Sequence, residues 1–268
     1  MDIPNILSIA GTDPTGGAGI QADLKSIAAA GGYGMCVITS LVAQNTQGVR
    51  DIHTPPQEFL LSQLDAVFDD VQVDAVKIGM LGDAPTTHTV SNYLHTHPVP
   101  LVVVDPVMVA TSGDRLLTTD AEDALRKLVC DHATVVTPNI PELAVLVGNA
   151  PAASFSEAVE QGKHLAISAQ VSVLVKGGHL TGSHASNALV SPDGSLTFAK
   201  LPRVNTTNTH GTGCSLSSAF ATRLALTGDP DQALKWSSAW LYGAIAAADA
   251  LNVGRGRGPV NHFHHLVL

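Results

Sequence analysis

Ile6-Leu7-Ser8-Ile9-Ala10-Gly11-Thr12-Asp13-Pro14-Thr15-Gly16-Gly17-Ala18-Gly19 passes from an apolar run, through a loop rich in glycine, into a helical pattern that continues to Ala30. The run Ile6 to Ala10, closed by a glycine, reads as a buried strand, and the spacing from about Ala18 to Ala30 reads as a helix. Outward from this unit the alternation repeats. Cys36 to Val42 reads as a second buried strand and Val49 to His53 as a short third. Phe59, Leu60, Leu64, Val67 and Phe68 recur at helical spacing. Strands are expected at Val73 to Ile78, Leu101 to Val104, Thr134 to Val136 and Val171 to Val175, with helices around Thr86 to His95, Ala121 to Val129, Pro141 to Val147 and Ser156 to Ser168. The pattern changes once: Ala188 to Val190 and Leu196 to Phe198 flank Pro192-Asp193-Gly194, a hairpin signal. Helical patterns from Cys214 to Leu226 and Asp231 to Leu251 close the chain.

Repeated strand–helix units imply an α/β fold with a mainly parallel central sheet, helices on both faces and a small antiparallel hairpin. No linker or compositional break divides residues 1–268, which are read as one domain. The chain is 45% hydrophobic and 14% charged, which excludes disorder. The net charge of −9, with no Lys/Arg cluster, leaves no electrostatic footprint for nucleic acid or an anionic membrane. No apolar stretch reaches the length of about 18 residues expected of a membrane span, and Met1-Asp2-Ile3-Pro4 lacks signal-peptide order, so a soluble, cytoplasmic protein is expected. The three cysteines form neither a disulfide framework nor a zinc pattern.

In parallel sheets, ligands bind beyond the carboxyl ends of the strands. The polar and glycine-rich segments fall there: Gly11 to Gly19, Gln44-Asn45-Thr46, Gly79-Met80, Asp105, Asn139 and Lys176-Gly177-Gly178. The first loop is a near miss to a P-loop, because Gly17 replaces the lysine and Ala18 stands where Ser or Thr should follow. It either closes on a ligand by backbone contact or is a sharp turn. Gln44 carries a donor and an acceptor that fit an aminopyrimidine edge, and taken singly it equally reads, like Asp23 on the first helix, as an ordinary polar residue at an element end. Asp105 closes an apolar strand, where a carboxylate must be solvated, paired or bound to metal. Asn139 and Glu142 suit magnesium, directly or through water, and equally suit a helix start with Asn139 as cap and Pro141 in the first turn. Lys176 suits a polyphosphate or, more blandly, reaches water.

Asn208-Thr209-His210-Gly211-Thr212-Gly213-Cys214-Ser215 enters a long helical pattern. A glycine-rich turn at a helix start presents free N–H groups and the positive end of the helix dipole, a ready anion site beside Cys214. Two other readings stand beside it: a tight turn that happens to carry a cysteine, and a His210–Cys214 nucleophilic pair for acyl chemistry. The tract His262-Phe263-His264-His265 is read as a solvated or packed tail.

Taken in order, Gly11 to Asp23, Val42-Ala43-Gln44-Asn45-Thr46, Lys77-Ile78-Gly79-Met80, Asp105-Pro106-Val107-Met108, Thr137-Pro138-Asn139, Lys176-Gly177-Gly178-His179, Asn208 to Cys214 and Gly258-Pro259-Val260 resemble the hydroxymethylpyrimidine/phosphomethylpyrimidine kinases of thiamine biosynthesis, in the ribokinase-like superfamily. The resemblance runs nearly end to end. It implies ATP with Mg2+, a homodimer, and two successive phosphorylations, of 4-amino-5-hydroxymethyl-2-methylpyrimidine and then of its monophosphate. It also implies that Gln44 bonds the aminopyrimidine and that Gly11, Asp23, Val42 and Met80 line the same pocket. Lys176, Asn139, Glu142, Thr212 and Gly213 would serve ATP, and Asp105, Asn139 and Glu142 would arrange magnesium. Gly211, Thr212, Gly213 and Cys214 would form the catalytic anion hole. Because a helix N-terminus lowers a thiol pKa, Cys214 is expected to act as the base in the first step. The runner-up is a pyridoxine/pyridoxal kinase. In some of these a second cysteine follows the aspartate, whereas Val109-Ala110-Thr111-Ser112-Gly113 holds none here. A silent binding protein and a Cys–His hydrolase are the readings from other classes.

Overall fold

A computed structural model describes residues 2–108 and 120–266. Strand β1 (Asn5–Ala10) enters α1 (Gly19–Ala30), followed by β2 (Tyr33–Ile38), β3 (Leu41–Asn45), β4 (Gly48–His53), α2 (Gln57–Phe68), β5 (Ala75–Ile78), α3 (Ala84–Thr96) and β6 (Val102–Val104). The second half runs α4 (Ala121–His132), β7 (Val135–Val136), α5 (Ile140–Val147), α6 (Phe155–Ala169), β8 (Ser172–Lys176), β9 (His184–Val190), β10 (Leu196–Pro202), α7 (Thr212–Thr227) and α8 (Pro230–Ala246). The main sheet has 8 strands in the order β10-β9-β8-β7-β6-β5-β1-β2. From β8 to β2 every pairing is parallel, while β9 and β10 form an antiparallel hairpin at one edge.

Two expectations change. The apolar run Cys36 to Val42 is not one strand. Thr39 N–H donates to Ala10 O and Thr12 N–H to Ser40 O, each at 3.0 Å, so the chain turns out of the sheet at these residues. Val42 therefore belongs to β3, which pairs with β4 as a separate two-stranded sheet. The last helix does not reach Leu251. It ends at Ala246, and a short 3-10 turn spans Ala248–Ala250.

Period-2 alternation divides the apolar residues between two cores. Leu7, Ile9, Val76, Ile78 and Val104 pack beneath one helical layer with Leu64, Val90 and Leu128. Ile6, Ala75, Val103 and Leu174 face α1, α7 and α8 through Ile27, Phe220 and Leu234. Each such side chain, fully buried, contributes about 1.5–3 kcal/mol before the entropy of ordering it is set against it. Ser8 and Lys77 lie on this second face, directly opposite each other in adjacent strands. Small residues on α7, among them Ser215, Ser218, Ala219 and Thr222, leave room for a long polar side chain between helix and sheet.

Lys77 fills that room and is wholly buried. Its Nζ donates to both oxygens of Asp23 on α1, each at 2.9 Å. Ser8 Oγ and Ser218 Oγ donate to the same carboxylate at 2.6 and 2.8 Å. One ion pair thus ties β1, β5, α1 and α7 together. Removing a single member leaves an uncompensated charge in the core. Lys77→Met is expected to lower the unfolding free energy by about 3–5 kcal/mol. The double variant Lys77→Met/Asp23→Asn should recover much of that loss, because no bare charge remains. Chemical denaturation checks both, and strictly additive losses would show that the two residues are not coupled.

Candidate active site

The two glycine-rich loops meet at the carboxyl edge of the sheet. Gly211 has φ 76° and caps α7 in the left-handed region, where glycine carries no steric penalty. It lies so close to the first loop that an added Cβ would overlap the Gly17 carbonyl oxygen. A Cβ on Gly17 would in turn come within 2.5 Å of His210 Cδ2. These glycines let two backbones approach. The first loop is folded around Asp13, fully buried, whose Oδ1 accepts from Thr15 N and Oγ1, and whose Oδ2 accepts from Gly17 N and Ala18 N. His210 Nε2 donates to the same Oδ2 at 2.7 Å. Burial pushes the Asp13 carboxyl up, but the bonds from His210 and Thr15 outweigh it and hold the group below the usual carboxylate range. His210 is therefore engaged with Asp13, and the nucleophilic Cys–His pair that the sequence allowed is not what the structure forms.

Thr212, Gly213 and Cys214 open the first turn of α7 and line the cleft. A Cβ on Gly213 would stand 3.4 Å from Lys176 Nζ, so this lysine lies directly before the helix N-terminus. The thiol differs from expectation. Burial pushes Cys214 up to about 11, and Lys77 together with a hydrogen bond from the Gly19 backbone only partly offsets it, with Asp23 and Asp105 adding to the rise. A helix N-terminus does not depress a thiol when desolvation is the larger effect. Cys214 is a thiol, not a thiolate, at neutral pH.

A row of charges continues from there. Lys176 Nζ lies 2.7 Å from Asp105 Oδ1 and 3.7 Å from Glu142 Oε2. Asp105 also accepts from Thr137 Oγ1 and Ser217 Oγ, each at 3.3 Å. Burial raises the Asp105 carboxyl, yet Lys176 and Lys77 hold it low. Glu142 is pushed up to about 7 by burial, against the pull of Lys176 and with the push of Asp105. Asn139 and Glu142 form a reciprocal capping box at α5, with Asn139 Oδ1 accepting from Glu142 N and Glu142 Oε2 from Asn139 N. The helix-start reading of these two residues is thus present in full. Among the described residues no group of three or more His, Cys, Asp or Glu side chains forms a metal cage. Asp105 and Glu142, both nearly buried, flank the point where Lys176 meets α7. That donor set fits magnesium, which keeps most of its waters and needs only one or two carboxylates when phosphates bring it in.

Gly11, Gln44 and Met80 line the other end of the same cleft. A Cβ on Gly11 would press within 2.6 Å of the Met80 methyl, so only glycine leaves the floor open there. Gln44 Nε2 donates to Thr12 O at 3.1 Å, which fixes the amide and leaves its oxygen and second N–H uncommitted to that bond. One sequence assignment to this pocket is corrected. Asp23 is not at the cleft surface, because it is consumed by Lys77, Ser8 and Ser218 beneath it. Val42 is buried, with its N–H on Thr12 Oγ1, and a Cβ on Gly11 would stand 3.5 Å from its Cγ2, on the side that Met80 occupies.

The cleft holds about 1000 Å³, enough for two small molecules end to end, with an apolar wall from Val204, Leu241, Tyr242 and Ile245 beyond Lys176. Sequence reasoning assigned no role to Lys77, Asp13 or Arg203. A lysine inside the apolar strand Ala75-Val76-Lys77-Ile78 was the available signal for the first, and Asp followed by Gly-Gly three residues on for the second. Arg203 donates to the carbonyls of Gly178, Gly182 and His184 at 3.0, 2.9 and 3.2 Å and holds the segment after Lys176. The histidine tail packs: His262 is buried against Ser215 Oγ at 2.9 Å. The segment Val109-Ala110-Thr111-Ser112-Gly113 lies outside the described residues.

The thiamine biosynthesis multifunctional protein ThiED of Corynebacterium glutamicum is 61% identical over 261 residues, which are 97% of this chain. The chain spans about a third of that relative's length, 34%. The hydroxymethylpyrimidine/phosphomethylpyrimidine kinase of Salmonella typhimurium is 46% identical over 260 residues, 97% of either chain. A solved structure, the ADP complex of Bacillus subtilis pyridoxal kinase, superposes with a TM-score of 0.89 at 28% identity, covering 98% of this chain and 99% of that one. The sequence profile of the phosphomethylpyrimidine kinase family matches residues 13–261, and the chain belongs to that family.

Proposed function

We propose that this protein transfers the γ-phosphoryl group of ATP to the hydroxymethyl group of 4-amino-5-hydroxymethyl-2-methylpyrimidine, and then a second phosphoryl group to the resulting monophosphate, for thiamine biosynthesis. The observation that carries this reading is one continuous cleft. It has a cation and a helix N-terminus at its middle, a fixed amide at one end and an apolar wall at the other. Whole-length similarity to the Salmonella kinase supports the same substrate pair.

On this reading Gln44, Gly11 and Met80 hold the pyrimidine, and Tyr242, Leu241 and Ile245 cover the nucleotide base. Lys176 leaves Asp105 to meet the phosphates, while the N–H groups of Gly211 to Cys214 meet charge developing on the transferred group. Magnesium, carried in with ATP, would draw charge from the phosphate oxygens. Asp105, Asn139 and Glu142 are the residues placed to hold its waters. The acceptor oxygen forms its bond to phosphorus as the bond to the ADP oxygen breaks, and the hydroxyl proton passes to Cys214 or to solvent. Residues 1–268 act as one kinase domain in the cytoplasm. A homodimer is supported by the apolar exposure of Tyr33 on the edge strand β2, Leu41 and Ile52 on the β3–β4 hairpin and Phe59 on α2. Light scattering should return the mass of two chains.

The B. subtilis superposition favours a second reading, a pyridoxal kinase. Mass spectrometry of parallel reactions with Mg·ATP decides between them. Monophosphate and then diphosphate from the pyrimidine are expected. Pyridoxal phosphate alone would transfer the protein to the second reading.

Because burial holds the Cys214 thiol near 11, its thiolate fraction grows about tenfold per pH unit across the neutral range. If the thiolate takes the hydroxyl proton, kcat/KM for the first phosphorylation climbs with pH from 7 to 9, while the second step, whose acceptor is already ionised, stays flat. Cys214→Ser should remove the slope and slow the first step by about 10²-fold or more. A first step that is flat with pH and indifferent to serine would leave Cys214 as a wall of the anion hole only.

A further inference from the structure

Asp13 and His210 stand 197 positions apart in the chain and share one buried hydrogen bond of 2.7 Å. Asp13 is fully buried and His210 is 8% exposed. Each belongs to a different glycine-rich loop, and each loop serves a different half of the cleft. The loop of Asp13 carries Gly11 and Thr12, and Thr12 O in turn fixes the Gln44 amide. The loop of His210 runs directly into Gly211, Thr212, Gly213 and Cys214. Between the loops the backbones touch at Gly17 and Gly211, where neither residue has a side chain to hold the contact. Among the described residues the other polar link between these loops is the Gly19 backbone beside the Cys214 thiol, and sulfur is a weak hydrogen-bonding partner.

We infer that the Asp13–His210 hydrogen bond is a positioning latch, which sets the separation between the acceptor hydroxyl and the anion hole that receives the phosphoryl group. The inference rests on the proposed kinase function and adds to it two residues that touch no reacting atom. Asp13 is an acceptor only when ionised, so His210 Nε2 must carry the proton it shares. Four further donors, Thr15 N, Thr15 Oγ1, Gly17 N and Ala18 N, hold the carboxylate rigid, and the bond therefore transmits position instead of absorbing it. The His210 backbone is held independently, since its N–H donates to Gly258 O at 3.0 Å. Loss of the ring leaves the chain path in place and frees only the separation of the loops. A misplacement of about 1 Å between reactants costs on the order of 10²-fold in rate.

The test is steady-state kinetics on three variants of the full chain, with thermal melting as a control for folding. His210→Ala is expected to lower kcat about 10²-fold while leaving KM for Mg·ATP and for the alcohol within about threefold, because each half-site is intact and only their alignment is lost. His210→Gln places an amide N–H near the position of Nε2 and should recover kcat to within about fivefold of wild type. Asp13→Ala, which removes the acceptor that Gly17 N, Ala18 N and His210 share, should fall with His210→Ala. The latch is overturned if His210→Ala keeps kcat within threefold, if its loss lies in KM alone, or if the glutamine variant is as impaired as the alanine. Should His210→Ala fail to melt cooperatively, the contrast between His210→Gln and Asp13→Ala decides by the same criteria. Wild-type turnover of the hydroxymethylpyrimidine reads the functional assignment separately. The ratio of each variant to wild type reads the latch on whichever alcohol the wild-type enzyme phosphorylates.

Discussion

A lysine with no access to water and a single counterion is the constraint around which this molecule is arranged. Stripped of water, an ammonium and a carboxylate each cost several kcal/mol, and their attraction repays this only when the remaining hydrogen-bonding capacity is also met. Asp23 meets it with two bonds from Lys77 and one each from Ser8 and Ser218. To deliver them, α1 and α7 must lie side by side over β1 and β5, with α7 small-sided enough to come close. Cys214 is one helical turn before Ser218, so the same pair that fixes the depth of α7 fixes the height of its first turn, the proposed anion hole. An apolar filling of similar shape would in general give an equal or greater stability. What it would not give is a positive charge beneath Cys214, and Lys77 is the largest influence pulling that thiol down against burial.

From Lys77 the charges alternate along the carboxyl edge of the sheet: Asp105, Lys176, Glu142. This answers a difficulty raised by a chain of net charge −9 that is to bind a polyphosphate. Bulk electrostatics opposes the ligand, so attraction has to be local and oriented. The helix N-terminus supplies partial charge that cannot titrate, and Lys176 supplies a full charge on a mobile stem. Asp105 keeps Lys176 ionised despite burial, which on its own would push the ammonium toward neutrality. Glu142, lifted to about 7 by its surroundings, is the most easily neutralised member of the row.

How much of this could be read from the chain depended on whether the deciding contacts were local. The β1–loop–α1 unit was legible because apolar run, glycines and helical spacing are all within a few turns of one another. Asp105, Asn139 and Lys176 were legible because position at the end of an apolar strand is itself a sequence property. The break at Thr39-Ser40 was not, since neither residue is Gly or Pro and apolar residues resume directly after it. Two backbone bonds mark it, Thr39 N–H to the last residue of β1 and Thr12 N–H of the first loop to Ser40 O. Helix α8 was overextended for the same reason: Ala247 to Leu251 keeps helical composition after the helix has stopped. Asp23 was placed in the substrate pocket because its partner, Lys77, lies 54 positions away. For Cys214 the helix terminus was visible in the sequence, but the burial that outweighs it comes from packing against distant elements.

On the proposed reading, the fixed amide of Gln44 bears most directly on which ring the site accepts. Thr12 O accepts a hydrogen bond, so the nitrogen of Gln44, not its oxygen, must face it. That settles the orientation of the side chain and leaves one N–H and one carbonyl oxygen side by side. An aminopyrimidine offers a ring nitrogen and an exocyclic amine in the complementary order. A pyridoxal ring carries a phenolic oxygen and no exocyclic amine, so its hydroxyl or a protonated ring nitrogen has to serve the Gln44 oxygen, from a different position on the ring. Where that position leaves the oxygen unmet, the cost is about 1–3 kcal/mol, or about ten- to a hundredfold in affinity. Selection between the two heterocycles is therefore a matter of degree. It is built from the polarity of one amide within a fold that both kinds of kinase share, and the Thr12 carbonyl that accepts from this amide sets its sign.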